Sequence, residues 1–222
     1  MARILYSLCG DDTDNRFSPH CWKVVQALRH KGLDFEERAV GFTEIPALEN
    51  GFSKTVPILR DGDKLIADSF AIALYLEETY PDAPSLFAGE GGMAMARFVE
   101  AYSQSTLHPA ITRIAVKNIH DMLAPVDQAY FRESREPRLG ATLEEIATGR
   151  EAEIAAFAGK LAPLRTMLTH QPFIGGAAPL FADYIVFGAL QWAFKTGNEG
   201  LLDADDPVMD WFARCLGFAE TP

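Results

Sequence analysis

Thr55-Val56-Pro57-Ile58-Leu59-Arg60-Asp61-Gly62-Asp63-Lys64-Leu65-Ile66-Ala67-Asp68-Ser69 is the stretch whose reading decides the fold. Its apolar runs at 56–60 and 64–67 flank an Asp-Gly turn, which predicts a β-hairpin. A helix follows from Ser69, with apolar positions at Ile72, Tyr75, Leu76 and Tyr80, and ends before Pro81. Working backwards, 34–40 alternates weakly as a strand and 3–8 is a short apolar strand. Between them a helix runs from Pro19 to Lys31, with Trp22, Val25, Ala27 and Leu28 on one face, and stops at Gly32. The order is β-α-β, a connection, then β-β-α.

Beyond Pro81-Asp82-Ala83-Pro84 the composition changes, and the glycines at 89–92 complete a linker. The rest is helical by periodicity over 93–123, 143–169, 183–195 and 207–216, with Pro109 expected to kink or divide the first segment. Thr142 and Glu145 form a capping box. The charged stretch 132–142, with Pro137 and Gly140, reads as an extended connection. The chain thus divides into 1–81, an α/β domain; 82–92, a linker; and 93–222, an all-α domain.

Composition bounds the function. The 222 residues are 48% hydrophobic and 23% charged, ordinary for a globular protein with a sizeable core. A net charge of −11 argues against nucleic acid and anionic membranes, both of which call for a basic surface. No apolar run approaches the roughly 18 residues that would cross a bilayer. The first residues enter a strand directly, without the apolar core of a signal peptide. Three cysteines, at 9, 21 and 215, suit a reducing cytoplasm. Neither they nor the five histidines have metal-ligand spacing, so no metal is expected.

The chemistry lies at two helix starts. Ser18 precedes Pro19, and proline suits the first helical position because its missing N–H is not needed there. Ser18 is therefore an N-cap, with its hydroxyl beside unpaired N–H groups and the positive end of the helix dipole. It is either a plain cap or a holder of an anion such as a thiolate. The hairpin returns Asp68 and Ser69 to the end of the sheet where Val56 and Pro57 start. A cis Val56–Pro57 bond would turn the Val56 N–H and C=O outward to pair with an extended peptide. Ser69 and the N–H groups beside it can take a carboxylate, Asp68 an α-amino group, and Lys54 a second carboxylate. Each also has a plainer reading as strand start, helix cap or solvated lysine. Together they fit the parts of a small peptide.

Ser18-Pro19-His20-Cys21-Trp22-Lys23, Thr55-Val56-Pro57-Ile58-Leu59 and Asp68-Ser69-Phe70-Ala71-Ile72-Ala73-Leu74-Tyr75-Leu76 resemble a serine-type glutathione transferase. The resemblance spans the chain and is most specific over 3–86. It implies a thioredoxin-like N-terminal domain, an all-helical C-terminal domain and a homodimer. It also implies a cis Pro57, the glutathione thiol at Ser18 and the γ-glutamyl group at Asp68 and Ser69. Gly41-Phe42-Thr43-Glu44-Ile45 and Tyr130-Phe131-Arg132-Glu133-Ser134-Arg135-Glu136 are similar to bacterial β-etherase-like members, which cleave aryl ethers with glutathione. The chain departs from the family at Asp68, where many members have Glu, and at Leu180, where a Ser or Thr usually stands three residues before the acid now at Asp183.

The expected activity is attack of the glutathione thiolate on an apolar or aromatic electrophile, with Phe98 and Tyr102 either flooring its pocket or forming a core stripe. The rivals are a non-catalytic glutathione or apolar-ligand binder and a thiol oxidoreductase working through Cys21. Tyr6 is the alternative phenolic partner, set against a core role.

Overall fold

The computed structural model describes residues 3–218. Four strands, β1 (Arg3–Leu8), β2 (Glu36–Val40), β3 (Ile58–Asp61) and β4 (Lys64–Ala67), form one sheet in the order β2-β1-β3-β4. β1 runs parallel to β2 and antiparallel to β3. Ile4 to Leu8 are all buried, because β1 is an inner strand packed on both faces. The hairpin register pairs Ile58 with Ala67 and Asp61 with Lys64. Gly62, at φ +60°, opens its two-residue loop with the left-handed backbone that such a turn requires.

The helix α1 (Pro19–His30) joins β1 to β2, and α2 (Ser69–Thr79) follows β4. α1 is buried almost all round, not along the single stripe its periodicity suggested, since it lies between the sheet and the helical half. Its main partner there is α9 (Phe181–Lys195), which is almost wholly buried. Gly188 of α9 permits the approach: a Cβ there would lie 2.4 Å from the Pro19 carbonyl oxygen.

The helical half contains α3 (Glu90–Tyr102), α4 (His108–Asp121), α5 (Pro125–Leu139), α6 (Leu143–Thr148), α7 (Arg150–Lys160), α8 (Ala162–Leu168), α9 and α10 (Pro207–Phe218). α3 begins inside the stretch read as linker. Gly89 is its N-cap at φ +98°, and Gly92 sits where a Cβ would meet the Phe87 carbonyl oxygen at 1.7 Å. Gly89 serves the positive φ of the cap and Gly92 the close packing. Between α3 and α4 a π-helical segment, Ser103–Leu107, precedes Pro109, widening the turn where the proline ring would crowd a carbonyl.

The extended connection expected over 132–142 is overturned, because those residues to Leu139 belong to α5. Pro125 starts that helix, Gly140 at φ +73° ends it, and Pro137 falls in its last turn. Arg132 pairs at helical spacing with Glu136 at 2.6 Å and crosses to Glu144 at 2.7 Å. The segment 143–169 is three helices, divided at Gly149 and ahead of Pro163. The Thr142–Glu145 capping box is present.

Candidate functional site

Strand register brings the candidate residues to one end of the sheet. Tyr6 of β1 pairs with Ile58, so the C-terminal end of β1 lies beside Pro57 and Val56. Ile58 pairs with Ala67, which sets Asp68 and Ser69 at that same end. Leu8 accepts a hydrogen bond from the Phe17 N–H at 3.2 Å, so the chain re-enters α1 through Ser18 at the edge it left. Leu8 also pairs with Val40, which adds the loop after β2 to the cluster.

Ser18 caps α1 in an extended conformation, and its Oγ accepts from the Cys21 N–H at 3.3 Å. It is only 5% exposed, so a sulfur bound there would be largely screened from water. Val56–Pro57 is cis. The Val56 N–H and C=O have no hydrogen-bond partner among the described residues. In a half-buried position, that leaves one donor and one acceptor for an added extended chain.

Asp68 is an N-cap at φ +75°, a region costly for a residue with a Cβ. Its Oδ1 accepts from the N–H groups of Phe70 at 3.0 Å and Ala71 at 2.9 Å. The side chain is exposed, Ser69 beside it is buried, and Lys54 is exposed. Phe98 points outward from α3 with 71% of its surface exposed. Tyr102, one turn on, is half-buried and its hydroxyl donates to the Lys160 carbonyl.

Competing groups are committed elsewhere. The Tyr6 hydroxyl donates to the Glu49 carboxylate, and burial, then that carboxylate, raises its pKa. Cys21 is 1% exposed, and burial pushes its thiol up to about 11, so it stays protonated near neutrality.

Sequence reading missed several features around these residues. His20 and His108 approach to 5.2 Å between ring centroids, and Trp192 lies 5.4 Å from His108. Burial pushes both imidazoles down to about 3, so they are neutral at physiological pH. Buried Asp127 of α5 accepts from the Phe42 N–H at 3.0 Å and the Thr43 N–H at 2.8 Å, clamping the loop after β2. Lys23 is fully buried and pairs with Glu100 of α3 at 2.8 Å. This last was the most legible, because Lys23 shares an arc of α1 with Pro19, Gln26 and Ala27.

Glutathione S-transferase family models match residues 94–211 (C-terminal domain) and 13–84 (N-terminal domain). Glutathione S-transferase 1 of Dianthus caryophyllus is 47% identical over 70 residues, 29% of this chain; the chain therefore spans about a third (32%) of that relative's length. A glutathione transferase from Phanerochaete chrysosporium superposes with a TM-score of 0.87 at 26% identity, covering 98% of this chain and 97% of that one. A second structure, a glutathione S-transferase of Ceriporiopsis subvermispora in complex with glutathione, shares the fold with a TM-score of 0.85. It is 22% identical over 99% of this chain and 98% of its own.

Proposed function

The chain belongs to the glutathione transferase family, and from that premise we propose that it binds reduced glutathione along the open sheet edge and holds its sulfur as a thiolate at Ser18. The observation that carries this reading is the convergence at one sheet end of the Ser18 cap, the unpaired Val56 backbone and the start of α2. The cysteinyl backbone of the tripeptide pairs with Val56. The γ-glutamyl carboxylate lies at Ser69 and the α2 N-terminus, its amino group faces Asp68, and Lys54 assists the glycyl carboxylate. The C-terminal helices, with Phe98 and Tyr102 as candidate lining, receive an apolar or aromatic electrophile. Aryl-ether cleavage is the specific form favoured by the Phe42 and Tyr130–Glu136 segments.

The energetics suffice. A thiol of pKa about 8.5 is a few per cent ionised at neutral pH. Lowering that value by about two units takes roughly 2.7 kcal/mol. A hydrogen bond to a charged group contributes about 1.5–3 kcal/mol, and the helix N-terminus about 0.3–1 kcal/mol. With its oxygen already accepting from Cys21, the Ser18 hydroxyl can turn its hydrogen to the sulfur. The thiol proton leaves to solvent, and the thiolate forms a C–S bond at the electrophilic carbon as the bond to the leaving group breaks. The aryloxide of an aryl ether departs with the electron pair and takes up a proton from solvent, and the serine stays covalently unchanged.

Residues 1–81 are thus the glutathione-binding unit and 93–222 the second-substrate unit, in a cytoplasmic homodimer. Among the described residues no helix is long and apolar enough to cross a membrane. A protonated, buried Cys21 argues against the thiol-oxidoreductase alternative. Turnover tests the reading against both rivals: Ser18→Ala should lose one to two orders of magnitude in kcat, about 1.4–2.7 kcal/mol, while Cys21→Ala keeps it. The reverse pattern would install the redox mechanism, and no turnover of any electrophile by the wild type would leave a binding protein.

A further inference from the structure

The guanidinium of Arg135, on α5, stands over the rings of Phe131 at 5.0 Å and Phe42 at 5.3 Å. Its polar partners are neutral: the Ser134 hydroxyl, at 2.8 Å, and the Tyr130 phenol. No carboxylate lies within ion-pair distance of it among the described residues. In a chain of net charge −11, half-buried Arg150 is likewise without an acid, held by the Ile114 carbonyl and the Asn198 amide oxygen, but other cations withdrawn from water face one. Arg3 meets Asp61, Lys31 meets Glu77 and Arg165 meets Asp206. A guanidinium withdrawn from water is normally paired with an anion. Cation–π contact with the two rings, which are tilted 50° to each other, holds the guanidinium in place, and its N–H donors not spent on Ser134 can receive a carboxylate.

Its position connects it to the sulfur site. Phe42 follows β2 at the sheet end where Ser18 opens α1, and the Phe42 and Phe17 rings are 6.3 Å apart. Phe17 is the residue before Ser18. The half-exposed Tyr130 ring, 6.0 Å from Phe42, extends the apolar wall beside the guanidinium.

We propose that Arg135 is a carboxylate-recognition residue of the Ser18 cleft, its cation held by Phe42 and Phe131 for an acid group presented by the bound reactants. The inference rests on the glutathione-transferase reading and deepens it. The carboxylate has two sources, the glycyl end of glutathione or an acidic aryl second substrate, and each has its own measurement.

Calorimetry compares glutathione with its glycyl amide, and steady-state KM compares 4-chloro-3-nitrobenzoate with its uncharged analogue 4-chloro-3-nitrobenzamide. The wild type should favour the charged member in one of the two arms. Arg135→Met should reduce that preference at least ten-fold, and Arg135→Lys should restore part of it. A preference in the first arm that Arg135→Met removes while Lys54 is intact assigns the glycyl end to Arg135, and one that it removes in the second assigns the electrophile. Wild-type protein without preference in either arm overturns the proposal even if no variant folds, and so does an undiminished preference in folded Arg135→Met. Wild-type protein that binds no glutathione indicts the parent reading instead.

Discussion

Asp68 carries two loads. Its carboxylate caps two N–H groups of α2, and its backbone is held at φ +75°. Strain of this kind, about 1–3 kcal/mol, persists only where the surroundings enforce it. A change to alanine would mix loss of the cap, worth about 0.5–2 kcal/mol, with loss of ligand contact. Asp68→Asn separates them, because an amide oxygen still caps while the charge is gone. Glutathione affinity by calorimetry should fall by about 1.5–3 kcal/mol, the scale of a charge-assisted hydrogen bond, with the melting temperature nearly unchanged. Unaltered affinity removes Asp68 from the site. The double role was half legible: sequence gives a cap and a charge, whereas the backbone conformation depends on how β4 meets α2.

At the scale of elements, the departure at Leu180 shows how a lost hydroxyl is offset. Asp183 is fully buried in the first turn of α9 and accepts four N–H donors: Ile174 at 2.7 Å, Gly175 at 2.9 Å, Leu180 at 3.0 Å and the Trp211 indole at 2.9 Å. Burial raises its pKa, and the donors draw it back without cancelling the rise. One carboxylate thereby fastens α9 to the loop before it and to α10. Asp183→Ala would strand four donors, and a loss of about 3–5 kcal/mol in urea denaturation is expected, the cost of breaking a buried charged network. A loss below about 1 kcal/mol would mean that the network is dispensable. The hairpin, α1, α2 and α9 were readable from period, cap and turn chemistry. α5 was misread because Pro137 and Gly140 look like breakers wherever they fall, and only the fold shows them at a helix end.

At the scale of the whole molecule, the sheet edge and the helical half meet where the chain would react. α1 is capped by Ser18 at the sheet edge and at the same time packs on α9, so the proposed sulfur site depends on both halves. Family resemblance indicates a homodimer, and two-fold pairing is the commonest closed arrangement of soluble chains. Light scattering at micromolar concentration should give twice the 24.4 kDa chain mass, and a value near the single mass would count against it. Sequence identified the residues of the sheet edge but not the walls opposite. His20 meeting His108, and Asp127 holding the loop after β2, are contacts across more than eighty residues of chain, which no local period encodes.

The central claim is that Ser18 stabilises a thiolate, and the pKa of the bound thiol tests it most directly. Thiolate absorbance of glutathione bound to the wild type, titrated from pH 5 to 9, should give an apparent pKa about two units below the free value of roughly 8.5. Ser18→Ala, still binding glutathione, should return it most of the way, because the charged form has lost its donor, while Cys21→Ala leaves it in place. A bound thiol that titrates at its free value in the wild type, or identically in wild type and Ser18→Ala, contradicts the account.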